Sequence, residues 1–412
     1  MSTVRHDDLA GRASATADRI AEMLAVPSPI EDDSLRWRTQ SLSRGAAGVS
    51  LLHAARAHAG TGNWDRVHAW LKAATFAPLE AGPGAGLWFG APAVAFALAT
   101  VAPHVQYERA LQLLDKVVAE TVAARLEAAE ARIEARRRPA RTEYDLVSGL
   151  TGLGAHLLRR DPDGDQLRQL LNYLVQLTFP VEADDMAGTE VPGWWTHDIP
   201  GGRSPADFPH GHADLGMAHG IAGPLALMAL AARDGVIVDG QAEAMDRICC
   251  WLEAWQQAGM SGSWWPERIV LAAHRDGSVL SGPTRPSWCY GTPGIARAMQ
   301  LAAHALNARE WLLLADRAIL NSLSDPRQLV RIIDPGLCHG WAGLAATVRV
   351  AATDASTSAI ADHLTGLLTA LINTAEHCAA DGLIDGRAGA ALILHSMTAT
   401  TIPGWETCLL IN

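Results

Sequence analysis

The stretch HGWAGLAATVRVAA (residues 339–352) sets two glycines three residues apart, ahead of a run of alanine, leucine and valine with little charge. A segment apolar nearly all round reads as a buried helix, here entered through a glycine turn. The same arrangement recurs along the chain as RGAAGVSLLHAAR (44–56), FGAPAVAFALAT (89–100) and SGLTGLGAHLLRR (148–160). It continues as HGIAGPLALMALAAR (219–233), YGTPGIARAMQLAA (290–303) and DGRAGAALILHSM (385–397). The first glycines are Gly45, Gly90, Gly149, Gly220, Gly291, Gly340 and Gly386, at gaps of 45, 59, 71, 71, 49 and 46 residues. Only the second copy departs, with Ala93 where the second glycine belongs.

Between the copies lie amphipathic segments, NWDRVHAWLKAATF (63–76), DQLRQLLNYLVQL (165–177) and AEAMDRICCWLEAWQQA (242–258), which read as outer helices. A gap near 45 residues suits two helices plus loops, the arithmetic of an α-helical repeat. Glycine at each turn lets an inner helix start close to its neighbour and permits φ above zero. The expectation is an all-α protein, seven helical hairpins closing into an α/α toroid. An open solenoid needs polar caps at its ends, and neither terminal copy differs in composition. Residues 1–412 then form one toroid domain. The longer gaps hold insertions: 180–218, rich in Pro, Gly, Asp and Trp, is an irregular or β-containing extension, and SGSWWPERIVLAA within 259–288 holds a strand. The segment 108–138 reads as one long helix whose charges form a solvated face.

Composition narrows the function. Of 412 residues, 49% are hydrophobic and 19% charged, with a net charge of −11 and no dense Lys/Arg tract. That balance argues against nucleic-acid and anionic-membrane binding. The N-terminus lacks the apolar run of a signal peptide, and no apolar run reaches about 18 residues. Six sparse cysteines do not make a disulfide scaffold. A cytoplasmic setting is expected.

In a toroid the turns gather at one mouth of the pore, so residues near each first glycine face one another. The third copy offers Asp145 and the fourth His219; the fifth offers Trp288, Cys289 and Tyr290, the sixth Cys338 and His339, the seventh Asp385. Copies one and two carry no such chemistry. Two thiolates and an imidazole, with one position open, make a Zn²⁺ site of catalytic type, and helix N-termini favour the thiolates. His219 reads either as a fourth ligand or as an acid/base beside the metal. Arg285 reads as an anion contact or a partner of a surface carboxylate, and Asp145 on its own as a helix cap. Cys249, Cys250, Cys378 and Cys408 read as small buried apolar residues.

GMAHGIAGPLAL, RPSWCYGTPG, LCHGWAG and the C-terminal WETCLLIN together resemble the lanthionine synthetase C family, the lanthipeptide cyclases, over essentially the whole chain. The resemblance implies a seven-repeat α/α toroid with one catalytic Zn²⁺ held by Cys289, Cys338 and His339. It matches His219 to the family's acid/base, Asp145 and Arg285 to the charged residues lining the site, and Tyr290 to the tyrosine beside the first zinc cysteine. The 180–218 insertion falls where family cyclases place a small β-containing extension. The activity implied is thioether ring formation: cysteine thiols of a precursor peptide with a leader segment add to its dehydroalanine or dehydrobutyrine residues. Dehydration is expected from a separate dehydratase. Some relatives attach to a membrane through a transporter complex, which would make the chain peripheral to a membrane-associated assembly. Other readings are a relative that couples glutathione to dehydrated residues and a non-catalytic, zinc-stabilised scaffold of a peptide-modifying complex. Glycoside hydrolysis on a toroid needs two opposed carboxylates and leaves the two cysteines unexplained.

Overall fold

The computed structural model describes residues 2–28, 38–101, 107–182, 188–260, 262–279, 282–399 and 402–412. The seven glycine-led segments form helices Ala46–His58, Ala91–Val101, Leu150–Arg160, Ala222–Arg233, Thr292–Leu306, Trp341–Asp354 and Arg387–Ser396. Nearly every residue of each is buried, as an all-round apolar surface demands. Each inner helix touches the next, and the seventh touches the first, so the ring is closed.

Six of the outer helices are Trp64–Ala74, Glu108–Glu134, Asp165–Leu177, Gln241–Ala254, Arg309–Leu323 and Leu364–Ala375. The seventh comes from the other end of the chain. Helix Ser2–Met23 packs on the seventh inner helix, burying Leu9, Ala13, Ala17, Ile20 and Ala21. The long helix Glu108–Glu134 is not purely a solvated face: Arg125 turns inward to the carbonyls of Pro83 and Ala85, both at 2.6 Å.

The turns explain their glycines by contact rather than by handedness. Gly45, Gly149, Gly291, Gly340 and Gly386 have ordinary negative φ, so freedom to take positive φ is not their reason. A Cβ on Gly340 would lie 2.3 Å from the Gly336 nitrogen, and one on Gly343 only 1.8 Å from the Leu337 carbonyl oxygen. The second copy is built differently. Its Gly90 is left-handed at φ +80°, and it is this copy that carries Ala93 in the second glycine's place.

Neighbouring turns are stitched together in one direction around the ring. Backbone N–H groups of Leu42, Leu146, Ala218, Cys289, Cys338 and Ile384 donate to the carbonyls of Trp88, Ala218, Cys289, Cys338, Ile384 and Ser43 respectively, at 2.9–3.2 Å. These residues stand two or three places before each first glycine, so the stitching sets the register of the mouth.

The insertions carry short antiparallel strands: β1 (Val181–Glu182) with β2 (Glu190–Val191), and β4 (Gln257–Gly259) with β5 (Gly262–Trp264). β3 (His212–Asp214) of the first insertion pairs with β6 (Arg268–Val270) of the second, Asp214 opposite Arg268. The tail runs buried within the ring, where the Leu409 carbonyl accepts from Trp288 Nε1 (2.9 Å) and the Ile411 carbonyl from Arg297 Nε (2.9 Å). No helix among the described residues is long and apolar enough to cross a membrane.

Candidate metal centre and active site

One cavity of about 560 Å³ opens at the mouth, lined by residues from the turns of all seven repeats. Cys289 and Cys338 occupy equivalent places in adjacent turns, and the Cys289 N–H donates to the Cys338 carbonyl at 3.2 Å. That bond holds the two turns side by side. Their sulfurs and a ring nitrogen of His339 lie within 4.8 Å of one another, a group able to hold a metal ion.

The electrostatics suit a cation. A hydrogen bond from the Cys338 thiol, helped by His339, holds Cys289 well below the usual thiol range. The Cys289 thiolate in turn pushes Cys338 up and raises His339. The pair thus gives up one proton readily and keeps the second, which a divalent cation would displace. Asp334 Oδ2 stands 3.6 Å from His339 Nε2, while its Oδ1 accepts the Gly336 N–H at 2.9 Å. Ser287 Oγ lies 3.8 Å from Cys289 Sγ.

His219 lines the same cavity. Its Nδ1 lies 2.6 Å from Asp145 Oδ2; the carboxylate is fully buried and the imidazole partly exposed to the cavity. Asp145 Oδ1 accepts the N–H groups of Ser148 (2.6 Å) and Gly149 (2.9 Å). Asp145 thus holds the turn ahead of the third inner helix rather than capping the helix, whose N-cap is Gly149, and the same residue is the imidazole partner. His219 does not join the three-residue metal group. Tyr290 lines the cavity with its ring while its hydroxyl is buried; burial, then the charge of Asp214, pushes the phenol's pKa up. Arg285 lines the cavity too.

The first two copies are less bare than their turns read. Arg38, Ser41, Ser43 and Arg44 of the first and Trp88 of the second line the cavity, and Arg44 Nη2 pairs with Asp385 Oδ2 at 2.8 Å across the seam between the first and seventh repeats. Of the other cysteines, Cys249 and Cys408 are buried with their thiols pushed up by burial. Cys378 is half-buried and Cys250 faces out, against the reading of both as buried apolar residues.

A closed α/α ring with a sulfur–imidazole centre at the mouth defines the class. Residues 36–410 match the lanthionine synthetase C-like family, and the chain belongs to it. It is 25% identical over 206 residues to the nisin biosynthesis protein NisC of Lactococcus lactis subsp. lactis. That match takes in 49% of this chain and 47% of the relative, so it spans about half the relative's length. The fold is similar to that of a solved nisin cyclase, with a TM-score of 0.76 at 18% identity over 100% of this chain and 98% of that one.

Proposed function

We propose that this protein is a zinc-dependent cyclase. It closes (methyl)lanthionine rings by adding cysteine thiols of a precursor peptide to dehydroalanine and dehydrobutyrine residues of the same peptide. The observation that carries the reading is that the Cys289–Cys338–His339 group and the Asp145–His219 pair share one cavity.

Two sulfurs and one imidazole are a donor set for Zn²⁺, so Cys289, Cys338 and His339 would hold the ion and present it to a substrate thiol. When bound, Zn²⁺ supplies the positive charge that makes a thiol a thiolate at neutral pH. The sulfur–carbon bond forms at the β-carbon of the dehydro residue, and the C=C electron pair moves toward the α-carbon and its carbonyl. A proton must then reach the α-carbon, balancing the one lost from sulfur. With Nδ1 committed to Asp145, His219 presents Nε2 as the proton-bearing atom, and the buried carboxylate stabilises the imidazolium. Arg285 supplies positive charge to the enolate oxygen. Tyr290, its hydroxyl turned away, acts through its ring. The partners on this reading are the precursor peptide with its leader and a dehydratase that acts first, in the cytoplasm.

The test is metal stoichiometry by elemental mass spectrometry on the wild type and on Cys289→Ala, Cys338→Ala, His339→Ala and His219→Ala. One zinc per chain, lost in the first three variants and kept in the fourth, is expected. Because ring closure leaves peptide mass unchanged, cyclisation is read as loss of alkylatable thiols, and His219→Ala should leave the thiols free. A zinc-loaded wild type that leaves every thiol of a dehydrated peptide alkylatable would sink the reading.

A further inference from the structure

The two insertions meet in the β3–β6 pair, and that pair presents charge to the site from behind. The carboxylate of Asp214 is fully buried, with Oδ1 2.7 Å from Arg268 Nε and Oδ2 3.4 Å from His212 Nε2. Arg268 also meets Glu267 at 3.0 Å, and Arg141 lies within electrostatic reach of Tyr290, Asp214 and Asp145. The Arg268 guanidinium stands over the Tyr290 ring, 4.7 Å from its centroid. The same ring abuts the backbone of the fourth turn, where a Cβ on Gly216 would fall 2.7 Å from Tyr290 Cδ1. That turn carries His219, whose ring centroid is 6.1 Å from that of Tyr290.

A buried ion pair adds little net stability, and apolar residues of similar volume often replace one without loss. They would not supply a cation on the Tyr290 face, nor an opposite charge to hold that cation there. Resting on the cyclase reading above, we propose that Arg268, held by Asp214, is a positioning residue: it clamps the Tyr290 ring against the fourth turn and so fixes His219 at the reacting carbon. The insertions, on this view, belong to the catalytic apparatus without touching substrate through either member of the pair.

The test uses the full-length, zinc-loaded protein and a dehydrated peptide. Asp214→Asn/Arg268→Met removes the pair without leaving a buried charge, which Arg268→Met alone would do. Expected is a kcat lower by about 10²-fold, the scale of an ångström's misplacement, with KM, zinc content and melting temperature as in the wild type. Arg268→Lys, keeping a cation over the ring, should recover part of that loss. A double variant with wild-type kcat overturns the proposal. So does one that fails only by unfolding or losing zinc, because the pair is then structural. A wild type that closes no ring overturns the cyclase reading itself, a failure visible before any variant is made.

Discussion

Asp145 divides its two oxygens between two tasks, holding the turn before the third inner helix through Oδ1 and binding His219 through Oδ2. Asparagine keeps the first and spoils the second, because its amide nitrogen would face His219 Nδ1 and no anion would remain to stabilise the imidazolium. Asp145→Asn should therefore lower kcat by about 10³-fold, toward the ~10⁴ seen when such a pair loses its carboxylate. Zinc content and melting temperature should hold. Asp145→Ala should add a stability loss of about 1–3 kcal/mol for the turn N–H groups left without their acceptor. An Asp145→Asn protein with wild-type turnover would remove the pair from the mechanism. Residues of this kind were legible to the extent that they sit near a repeated turn, where an unusual side chain stands out against its counterparts. Asp334 had no such signal, and Arg44 looked like any arginine beside a turn. Its partner Asp385 lies far along the sequence, near it only once the ring is closed.

Helices and turns were legible because their glycines and apolar runs repeat. Of the two reasons offered for the glycines, close approach and positive φ, the second does not hold for most of them. Sequence offers positive φ as the usual cause, whereas most of these turns need glycine because a carbonyl or amide occupies the place of a Cβ. Gly343→Ala should cost about 1–3 kcal/mol as an overpacked site, and it should weaken metal binding, since the displaced turn carries Cys338 and His339. Gly366, on an outer helix, has nothing within 4 Å of the Cβ position. Gly366→Ala should instead stabilise by about 0.5–1 kcal/mol. Paired denaturation curves check both, and equal effects would refute the steric account. A histidine adds a pH dependence at the joint between the N-terminal helix and the first repeat. Burial pushes His53 down to about 4, and its Nε2 bonds the Leu24 carbonyl at 2.7 Å. The unfolded chain then binds the extra proton below about pH 6.5, so this contribution is full above that pH and is lost as pH falls toward 4. Roughly 2 kcal/mol should be gone by pH 5. Denaturant midpoints at pH 7 and pH 5 measure it, and His53→Gln should flatten the difference.

For the molecule as a whole, seven copies with unremarkable ends pointed to a ring, yet nothing in the sequence indicated what closes it. The N-terminal helix supplies the outer partner of the last inner helix, and its alanine-rich buried face gives a weak apolar pattern whose matching surface lies beyond residue 386. Closure has a dynamic consequence. An open array frays from its terminal repeats, because each end lacks one neighbour; a ring has no such end, so inner-helix amides should be protected from exchange to similar degrees all round. Ala17 is fully buried where the N-terminal helix meets the ring. Ala17→Leu would overpack that seam, at about 1–3 kcal/mol, and convert the ring into an array with one loose end. Hydrogen exchange should then quicken first in Arg387–Ser396, the helix that loses its cover. It should reach Cys338 next, whose N–H bonds the Ile384 carbonyl at the base of that helix. Thr292–Leu306, remote from the seam, should stay protected. If exchange instead quickens equally in every inner helix, the ring opens only as one unit, and the N-terminal helix is no latch.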